Sequence, residues 1–331
     1  MKARITGVAT YLPERTLTST DVERRIEGYV PHRGIVERMT GIRLRHVARD
    51  DQQASDLAVE AVRRLGLPGG SGPDGATGHG DPDLLIFASA SQDMVEPATA
   101  HIVAAKLGLS CPVFDVKNAC NSMLNGIQVA EALILSGAHR RVLVCSGETP
   151  SRAIRWQVRD RAQFVDSFAG YTLSDSGAAV LVTADEERGI FYRDFSADST
   201  AWAIGTLPGG GSAHPRDPEY SYFRGDGRRL KEAFERIGPD IFLTALKRTG
   251  LSWDDFAVVA VHQVALPYLH FLAQVLDIPR EKLVVSLPEH GNCASATLPL
   301  QLALGGWRPG DRVALLGLGG GVSMGVMLAE M

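Results

Sequence analysis

RVLVCSGE at residues 141–148 and RVALLGLG at residues 312–319 are apolar runs of the same pattern, 171 residues apart. Three further pairs match at offsets of 172, 174 and 184 residues: 118–122 with 290–294, 84–87 with 258–261, and 56–67 with 240–251. Any two strand–helix units can look alike, but four pairs in the same order are hard to produce by chance. The sequence therefore predicts a chain made of two duplicated halves.

Short, continuous apolar runs alternate with segments of helical period along the chain. Runs of this kind indicate strands buried on both faces of a sheet, which defines the α/β class. They occupy residues 84–89, 142–146, 178–182, 258–261, 283–286 and 313–316. We expect two halves, residues 1–185 and 186–331, each with a mainly parallel sheet. Residues 68–82, rich in Gly, Pro and Asp, are typical of an exposed flexible connection.

The amino-acid composition indicates a globular protein and argues against several other classes of protein. The chain has 331 residues, of which 45% are hydrophobic and 22% charged, and its net charge of −4 is spread without blocks. This balance is that of a globular protein and argues against a surface for nucleic acid or for a membrane. Four cysteines lie far apart with no CxxC pair, which excludes a zinc ribbon or a disulfide scaffold. We expect a reduced, cytoplasmic protein without a metal.

Three residues at strand-to-helix junctions are candidates for chemistry. Cys120 lies in FDVKNACNSMLNGIQVAEAL (114–133), where a following helix would lower the pKa of its thiol. A free cysteine is more often a small buried residue. His262 follows the run 258–261, and Asn292 lies in EHGNCASATLPL (289–300). Each alone suits a structural role, but a Cys with a His and an Asn is a nucleophilic arrangement. His290 is a second, weaker candidate for the histidine.

The segment GLGGGVSMGVML (317–328) contains three consecutive glycines between two apolar runs. Such a segment suits a close approach of backbone N–H groups to a reacting centre. We expect it to form an oxyanion hole with the amide of Cys120. A phosphate-binding loop is less compatible, because no Lys follows at the required spacing and a strand comes next.

These segments, taken together, resemble a known family. The resemblance is to the β-ketoacyl-ACP synthase III branch of the thiolase superfamily, and its motifs stand in family order. They are ATYLPE (9–14), TGIRLRHVA (40–48), NAC (118–120), HQ (262–263), HGN (290–292) and GGGVSMG (319–325). The resemblance implies a five-layered αβαβα fold, a homodimer and a Cys-His-Asn triad. It also implies thioesters of coenzyme A or of an acyl carrier protein as substrates, with no other cofactor.

The resemblance assigns roles to individual residues. Cys120 would take the first acyl group as a thioester. His262 and Asn292 would bind the carbonyl of the second thioester and stabilise its enolate. Gly320 would form the oxyanion hole with the Cys120 amide. Arg38 matches the arginine near the adenine of coenzyme A.

Departures from the family pattern argue against acetyl-CoA priming of fatty-acid synthesis. Gly34 stands where the priming enzymes have a tryptophan on the adenine. Pro267 replaces a basic residue, and Ala265 replaces the asparagine of HQAN.

A further departure concerns Glu96. VEPATA (95–100) is similar to the head-to-head condensing enzymes of olefin biosynthesis and to pyrone-forming ketosynthases. In those enzymes a glutamate of the neighbouring subunit removes a proton from the second acyl chain. The alternative is that Glu96 caps a helix and faces water.

The leading hypothesis is a dimeric ketosynthase of secondary metabolism. It would join two acyl thioesters by Claisen condensation without decarboxylation, giving a β-keto product or an α-pyrone. One alternative is decarboxylative extension with malonyl-ACP. Another is acyl transfer from Cys120 to a hydroxyl or an amine. A third is a catalytically silent acyl-binding partner, against which the intact Cys, His and Asn count.

Overall fold

A computed structural model describes residues 1–67 and 80–331 of the chain. Most of the connection predicted at residues 68–82 therefore lies outside the described residues. The strands are β1 Lys2–Tyr11, β2 Thr16–Thr18, β3 Glu27–Gly28, β4 Leu44–His46, β5 Leu84–Ala88, β6 Val113–Val116, β7 Arg141–Glu148, β8 Gln157–Val158, β9 Ser176–Asp185, β10 Ile190–Ala197, β11 Gly205–Thr206, β12 Arg224–Gly225, β13 Val258–Val261, β14 Arg312–Gly319 and β15 Ser323–Glu330.

The α-helices alternate with these strands along the chain. They are α1 Ser19–Arg25, α2 Ile35–Thr40, α3 Ala54–Arg64, α4 Thr99–Leu107, α5 Ser122–Leu135, α6 Arg161–Ser167, α7 Gly227–Ile237, α8 Asp240–Thr249, α9 Leu266–Val275, α10 Leu287–His290 and α11 Thr297–Leu304. None of the helices in the described ranges is long and apolar enough to cross a membrane.

The two large sheets have the same strand order, which confirms the duplication. The first runs β1-β9-β7-β5-β6 and the second β10-β15-β14-β13. In the first sheet the β5–β7 and β5–β6 pairs are parallel, and the β1–β9 and β7–β9 pairs are antiparallel. In the second sheet, where β6 has no counterpart strand, the β13–β14 pair is parallel, and the β10–β15 and β14–β15 pairs are antiparallel. The expectation of mainly parallel sheets is therefore wrong. β14 and β15 are joined by three residues, a connection too short for the crossover that parallel strands need.

The run 283–286 does not form the predicted strand. Leu283 makes one isolated parallel bridge with Val259, at the place that β6 occupies in the first sheet. The N–H groups of Ser286 and Leu287 donate instead to the side-chain oxygen of Gln263, each at 3.1 Å. Because this side chain captures them, these N–H groups are not available to a β-ladder.

Packing of the apolar side chains confirms five layers. The inner faces of both sheets share one core with α5 and α11, which lie between the sheets. The outer face of the first sheet packs on α3 and α4. The outer face of the second sheet packs on α7, α8 and α9. This is the αβαβα arrangement that the resemblance implies.

Two glycines allow α3 to lie directly on the first sheet. A Cβ at Gly147 of β7 would lie 1.7 Å from the carbonyl oxygen of Ala54, and a Cβ at Gly177 of β9 would lie 2.0 Å from that of Leu57. Both obstacles are helix backbone, which cannot move aside without displacing α3.

We expect Gly147→Ala to lower the free energy of unfolding by about 3 kcal/mol, because the added methyl group forces α3 away from the sheet. Urea denaturation followed by circular dichroism measures the change. Gly227→Ala is the matched control, since an added Cβ there meets nothing within 4 Å. Equal stability of the two variants would contradict this account of the helix packing.

Candidate active site

Cys120 lies in a tight turn between β6 and α5. The residue before it, Ala119, has φ of 46°, and Gly291, which precedes Asn292 in the other half, has φ of 67°. An alanine with positive φ is uncommon. The Asn118 N–H donates to Ser122 Oγ at 2.8 Å, and the Asn121 N–H donates to the Asn118 carbonyl at 2.9 Å. The two halves therefore present Cys120 and Asn292 from turns of the same kind.

The side chain of Asn121 anchors the Cys120 turn to the second sheet. It is fully buried, and its Nδ2 donates to Ser323 Oγ at 2.9 Å and to the Ser323 carbonyl at 3.1 Å. A Cβ at Gly317 would lie 2.2 Å from Asn121 Oδ1, and a Cβ at Gly319 would lie 3.0 Å from its Nδ2. Two glycines of the segment 317–328 thus make room for Asn121 rather than for a reacting group.

The third glycine contacts the candidate nucleophile. A Cβ at Gly320 would lie 3.4 Å from the Cβ of Ala119, the residue before Cys120. The Gly320 backbone acts to lower the pKa of the Cys120 thiol, against the larger effect of burial. A donor that favours the thiolate is a backbone N–H directed at the sulfur. Gly320 is therefore next to Cys120, as expected for an oxyanion-hole residue.

Burial decides the ionisation of Cys120. The enclosure of the sulfur, together with the nearby charge of Glu148, raises the pKa of the Cys120 thiol to about 12. The expectation that the helix dipole lowers this pKa is wrong, because desolvation outweighs it. The thiol is protonated at neutral pH, so a nucleophilic reaction needs a base to take its proton.

His262 follows the last residue of β13. Its N–H donates to the carbonyl of Leu316 in β14 at 2.9 Å, and its side chain is buried. Burial lowers the pKa of His262 to about 4. In the described part of the chain, Nδ1 has no hydrogen-bond partner. The ring is therefore neutral at pH 7 and has a nitrogen free to bind a proton.

Asn292 is held by a segment of the first half. Its N–H donates to the Thr172 carbonyl at 2.9 Å, and its own carbonyl accepts from the Ser174 N–H at 2.9 Å. The side-chain Nδ2 donates to Thr172 Oγ1 at 3.3 Å, and Oδ1 accepts from the Ala294 N–H at 3.1 Å. These bonds fix the orientation of the amide and leave a second N–H on Nδ2 for another acceptor.

Chains of short contacts link the candidate residues Cys120, His262, Asn292 and Gly320. His262 bonds to the residue before Gly317, and Gly317 touches Asn121 beside Cys120. Asn292 is linked through the hydroxyl of Ser295, three residues on, to Glu148, whose charge acts on Cys120. Glu148 is a further candidate that the sequence motifs do not single out. The pattern that could have indicated it is an acidic residue at the end of an otherwise apolar strand, RVLVCSGE.

Glu96 and Arg38 lie outside this centre within the single chain. Glu96 is exposed. It does not cap α4, because the N–H groups of Thr99 and Ala100 both donate to Asp115, each at 2.8 Å. Arg38 is exposed on α2, and its guanidinium lies 3.2 Å from Nδ1 of His32.

His290, the weaker candidate, already has a partner. Its Nδ1 lies 3.1 Å from Nε2 of His46, and the two rings stack. Burial lowers the pKa of both rings. Residues 1–67 and 80–331 contain no cluster of three or more His, Cys, Asp or Glu side chains that could hold a metal ion.

Comparisons with known proteins give the family. Residues 114–199 match the family model described as 3-oxoacyl-[acyl-carrier-protein (ACP)] synthase III, and residues 246–331 match its C-terminal model. The β-ketoacyl-[acyl-carrier-protein] synthases III of two Desulfitobacterium hafniense strains, Y51 and DSM 10664 / DCB-2, are 31% and 30% identical to the chain. Both alignments cover 98% of this chain and 97% of the relative.

Solved structures with the same fold belong to two kinds of enzyme. A 3-oxoacyl-(acyl-carrier-protein) synthase III has 25% identity and a TM-score of 0.86, with full coverage of both chains. An OleA variant of Xanthomonas campestris with bound lauric acid and lauroyl-CoA has 26% identity and a TM-score of 0.86, covering 100% of this chain and 99% of that one. The chain belongs to the 3-oxoacyl-ACP synthase III family of thiolase-fold enzymes, and it is an acyl-transferring β-ketoacyl synthase.

The neutral His262 ring has a consequence for stability. The ring titrates near 6.5 when unperturbed and near 4 in the folded protein. Between these values the unfolded chain binds a proton that the folded state excludes, so stability is lost as the pH falls through this window. From about pH 7.5 to about pH 5, we expect the wild-type protein to lose about 2 kcal/mol more of its unfolding free energy than His262→Asn.

Urea denaturation of both proteins at the two pH values measures this difference. His46 and His290 titrate in both proteins, so their contributions cancel in the comparison. Equal losses in the two proteins would mean that His262 is not held neutral by burial.

Proposed function

We propose that this enzyme joins two acyl thioesters by Claisen condensation without decarboxylation. The observation that carries the proposal is the position of Glu96. It is an exposed carboxylate that caps no helix, beside Met94 and Val95, whose side chains are 49% and 72% exposed. An exposed carboxylate that directly follows two exposed apolar residues in the chain suits a base that enters the apolar site of a second subunit.

In the first half-reaction, the Cys120 sulfur attacks the carbonyl carbon of an acyl thioester. The thiol proton passes to the neutral ring of His262. The Gly320 and Cys120 N–H groups stabilise the oxyanion. The tetrahedral intermediate then releases the thiol of coenzyme A or of the carrier protein's phosphopantetheine, which takes a proton, and an acyl-Cys120 thioester remains. Arg38 binds the adenine end when the donor is a coenzyme A ester.

In the second half-reaction, Glu96 of the neighbouring subunit removes the α-proton of a second thioester. His262 and Asn292 donate hydrogen bonds to the enolate oxygen that forms. The α-carbon attacks the carbonyl carbon of acyl-Cys120, a carbon–carbon bond forms, and the Cys120 thiolate leaves and takes a proton from solvent, while Glu96 returns the α-proton to solvent. The product is a β-keto thioester, which hydrolyses to the acid. When the acyl group on Cys120 itself carries a β-keto oxygen, the enol of that oxygen attacks the thioester, expels the thiol and closes an α-pyrone in secondary metabolism. The likeness to OleA, solved with lauroyl-CoA, supports an acyl-CoA donor.

Decarboxylative extension with malonyl-ACP is the second candidate. The two curated relatives are named as β-ketoacyl-[acyl-carrier-protein] synthases III, which favours it. In that reaction the loss of carbon dioxide creates the carbanion, and Glu96 has no role. Acyl transfer to a hydroxyl or amine receives less support, since the polar side chains beside Cys120 are engaged in the turn: Asn121 bonds to Ser323, and Ser122 Oγ to the Ala119 carbonyl.

We expect Glu96→Gln to form acyl-Cys120 at the wild-type level and to lose condensation, because an amide cannot remove the α-proton. Intact-protein mass spectrometry after mixing with octanoyl-CoA detects the acyl group. Product analysis without any malonyl thioester measures condensation. Glu281→Gln, at another exposed glutamate, should behave as wild type, and Cys120→Ala should form no acyl-enzyme.

Full condensation by Glu96→Gln would rule out the non-decarboxylative mechanism. Product that appears only when malonyl-ACP is supplied would establish the decarboxylative alternative. An adduct that is stable until an alcohol or amine is added would indicate an acyltransferase.

The mechanism requires a homodimer, and β6 offers the contact surface. β6 is the last strand of the first sheet, so its outer edge has no strand partner in the described part of the chain. Phe114 of this strand is 36% exposed. An open edge with an apolar side chain is a site for pairing with a second copy. We propose that two chains pair along β6, which brings residues 94–96 of each chain toward the other.

We expect Phe114→Arg to convert a wild-type dimer into a monomer, because a buried guanidinium at the edge opposes pairing. Light scattering during size-exclusion chromatography gives the molar mass. Phe191→Arg is the matched control, since Phe191 is also 36% exposed but lies on β10, the edge strand of the second sheet. A dimeric Phe114→Arg protein would exclude β6 as the interface.

A further inference from the structure

Glu148 is a buried carboxylate that the proposed mechanism does not use. It is the last residue of β7 and is completely buried. Oε1 accepts from the Ala90 N–H at 2.9 Å, from the Ser295 N–H at 3.3 Å and from the Ser295 hydroxyl. Oε2 accepts from the N–H and the hydroxyl of Ser91 at 3.1 and 2.9 Å. Three of these five donors are backbone N–H groups, a set of partners that suits the acceptor oxygens of a carboxylate.

The five donors come from two separate segments of the chain. Ala90 and Ser91 directly follow β5 and lead toward Glu96. Ser295 belongs to the segment after Asn292 in the other half of the molecule. Ala294, which directly precedes Ser295, donates its N–H to Asn292 Oδ1 at 3.1 Å. Glu148 therefore connects the end of β7 to the segment that orients the Asn292 amide.

The charge of Glu148 has no basic counterpart. In the described ranges, no salt bridge of Glu148 with a Lys, Arg or His nitrogen within 4.0 Å is present. Its charge is compensated by N–H and O–H dipoles alone. The same charge adds to the rise in the pKa of the Cys120 thiol.

We propose that Glu148 is a positioning residue for both reacting centres. Its carboxylate fixes the Asn292 segment against β7 and places a permanent negative charge beside Cys120. The first effect serves condensation, in which Asn292 donates to the enolate. The second keeps the resting thiol protonated until an acyl donor arrives, which protects it from adventitious electrophiles. The inference rests on Cys120 being the acylated residue, but not on whether condensation is decarboxylative.

Glu148→Gln separates this role from simple support of the fold. The amide replaces one carboxylate oxygen with an NH₂ group, which would face the N–H and O–H groups that now donate to Glu148. Because two donors repel each other, the Asn292 segment shifts. The negative charge near the Cys120 thiol is also lost. We expect Cys120 to react with iodoacetamide about tenfold faster at about pH 8, since one pKa unit is a tenfold change in thiolate. We also expect kcat for condensation to fall by at least about tenfold, because the hydrogen bonds that the Asn292 segment donates to the charged carboxylate are lost. Acyl-Cys120 should still form.

Ser295→Ala tests the positioning effect without removing the charge. It deletes the Ser295 hydroxyl, which also lies 3.3 Å from the Ala88 carbonyl oxygen and 2.8 Å from Ser146 Oγ, and it leaves the carboxylate in place. We expect the alkylation rate of Cys120 to stay at the wild-type value while kcat for condensation falls about tenfold. This variant also keeps the proposal testable if Glu148→Gln does not fold.

Glu131→Gln is the matched control. Glu131 is likewise buried and lies in the C-terminal part of α5. Unlike Glu148 it forms an ion pair, with Arg193 of β10 at 2.8 Å. It should leave the alkylation rate and kcat unchanged. Peptide mapping assigns the alkylated cysteine, and thermal melts confirm folding.

The outcomes separate this proposal from the proposed function. Wild-type alkylation and kcat in folded Glu148→Gln, or wild-type kcat in Ser295→Ala, would overturn the role of Glu148. Failure of the wild-type protein to form acyl-Cys120 with octanoyl-CoA, its carrier-protein form or a longer acyl-CoA would overturn the proposed function instead.

Discussion

The buried side chain of Asn121 holds the reactive centre together. It belongs to the first half, yet both of its donated hydrogen bonds go to Ser323 in the second half. Gly317 and Gly319 are required because any side chain there would meet Asn121. Through this contact the position of Cys120 depends on the β14–β15 hairpin. The same hairpin brings Gly320 to the thiol, and β14 supports His262 through Leu316. The candidate nucleophile, its candidate base and the glycine proposed as oxyanion donor therefore share one support.

Burial acts on the thiol and the imidazole in opposite directions. It raises the pKa of Cys120 and lowers that of His262 because it disfavours the charged form of each group. At neutral pH the resting centre therefore holds an uncharged thiol and an uncharged ring. In the proposed mechanism, charge separation occurs only when an acyl group is transferred, when the N–H donors of Gly320 and Asn292 have an anion to stabilise.

The fold could be predicted where local pattern and duplication agree, whereas the catalytic roles of the triad stay a prediction. The paired runs predict the sheets, and the equivalent offsets predict matching places for Cys120 and Asn292, each of which follows a residue with positive φ, Ala119 and Gly291. The errors arose where a distant side chain decides the outcome. Gln263 accepts from the N–H groups of Ser286, the last residue of the run 283–286, and of Leu287 just after it. Asn121 occupies the space beside Gly317. Glu148 illustrates the same limit, since its five donors lie far from it in sequence.

The central layer has a consequence for how this molecule evolved and unfolds. α5 comes from one half and α11 from the other, and both lie in a single core with the inner faces of the two sheets. Separation of the halves would expose that core on both sides. The repeat visible in the sequence is thus a record of gene duplication rather than a pair of autonomous folding units. A chain with only one such half would leave the inner face of its sheet open to water, and a second copy of the same half would be needed to cover that face.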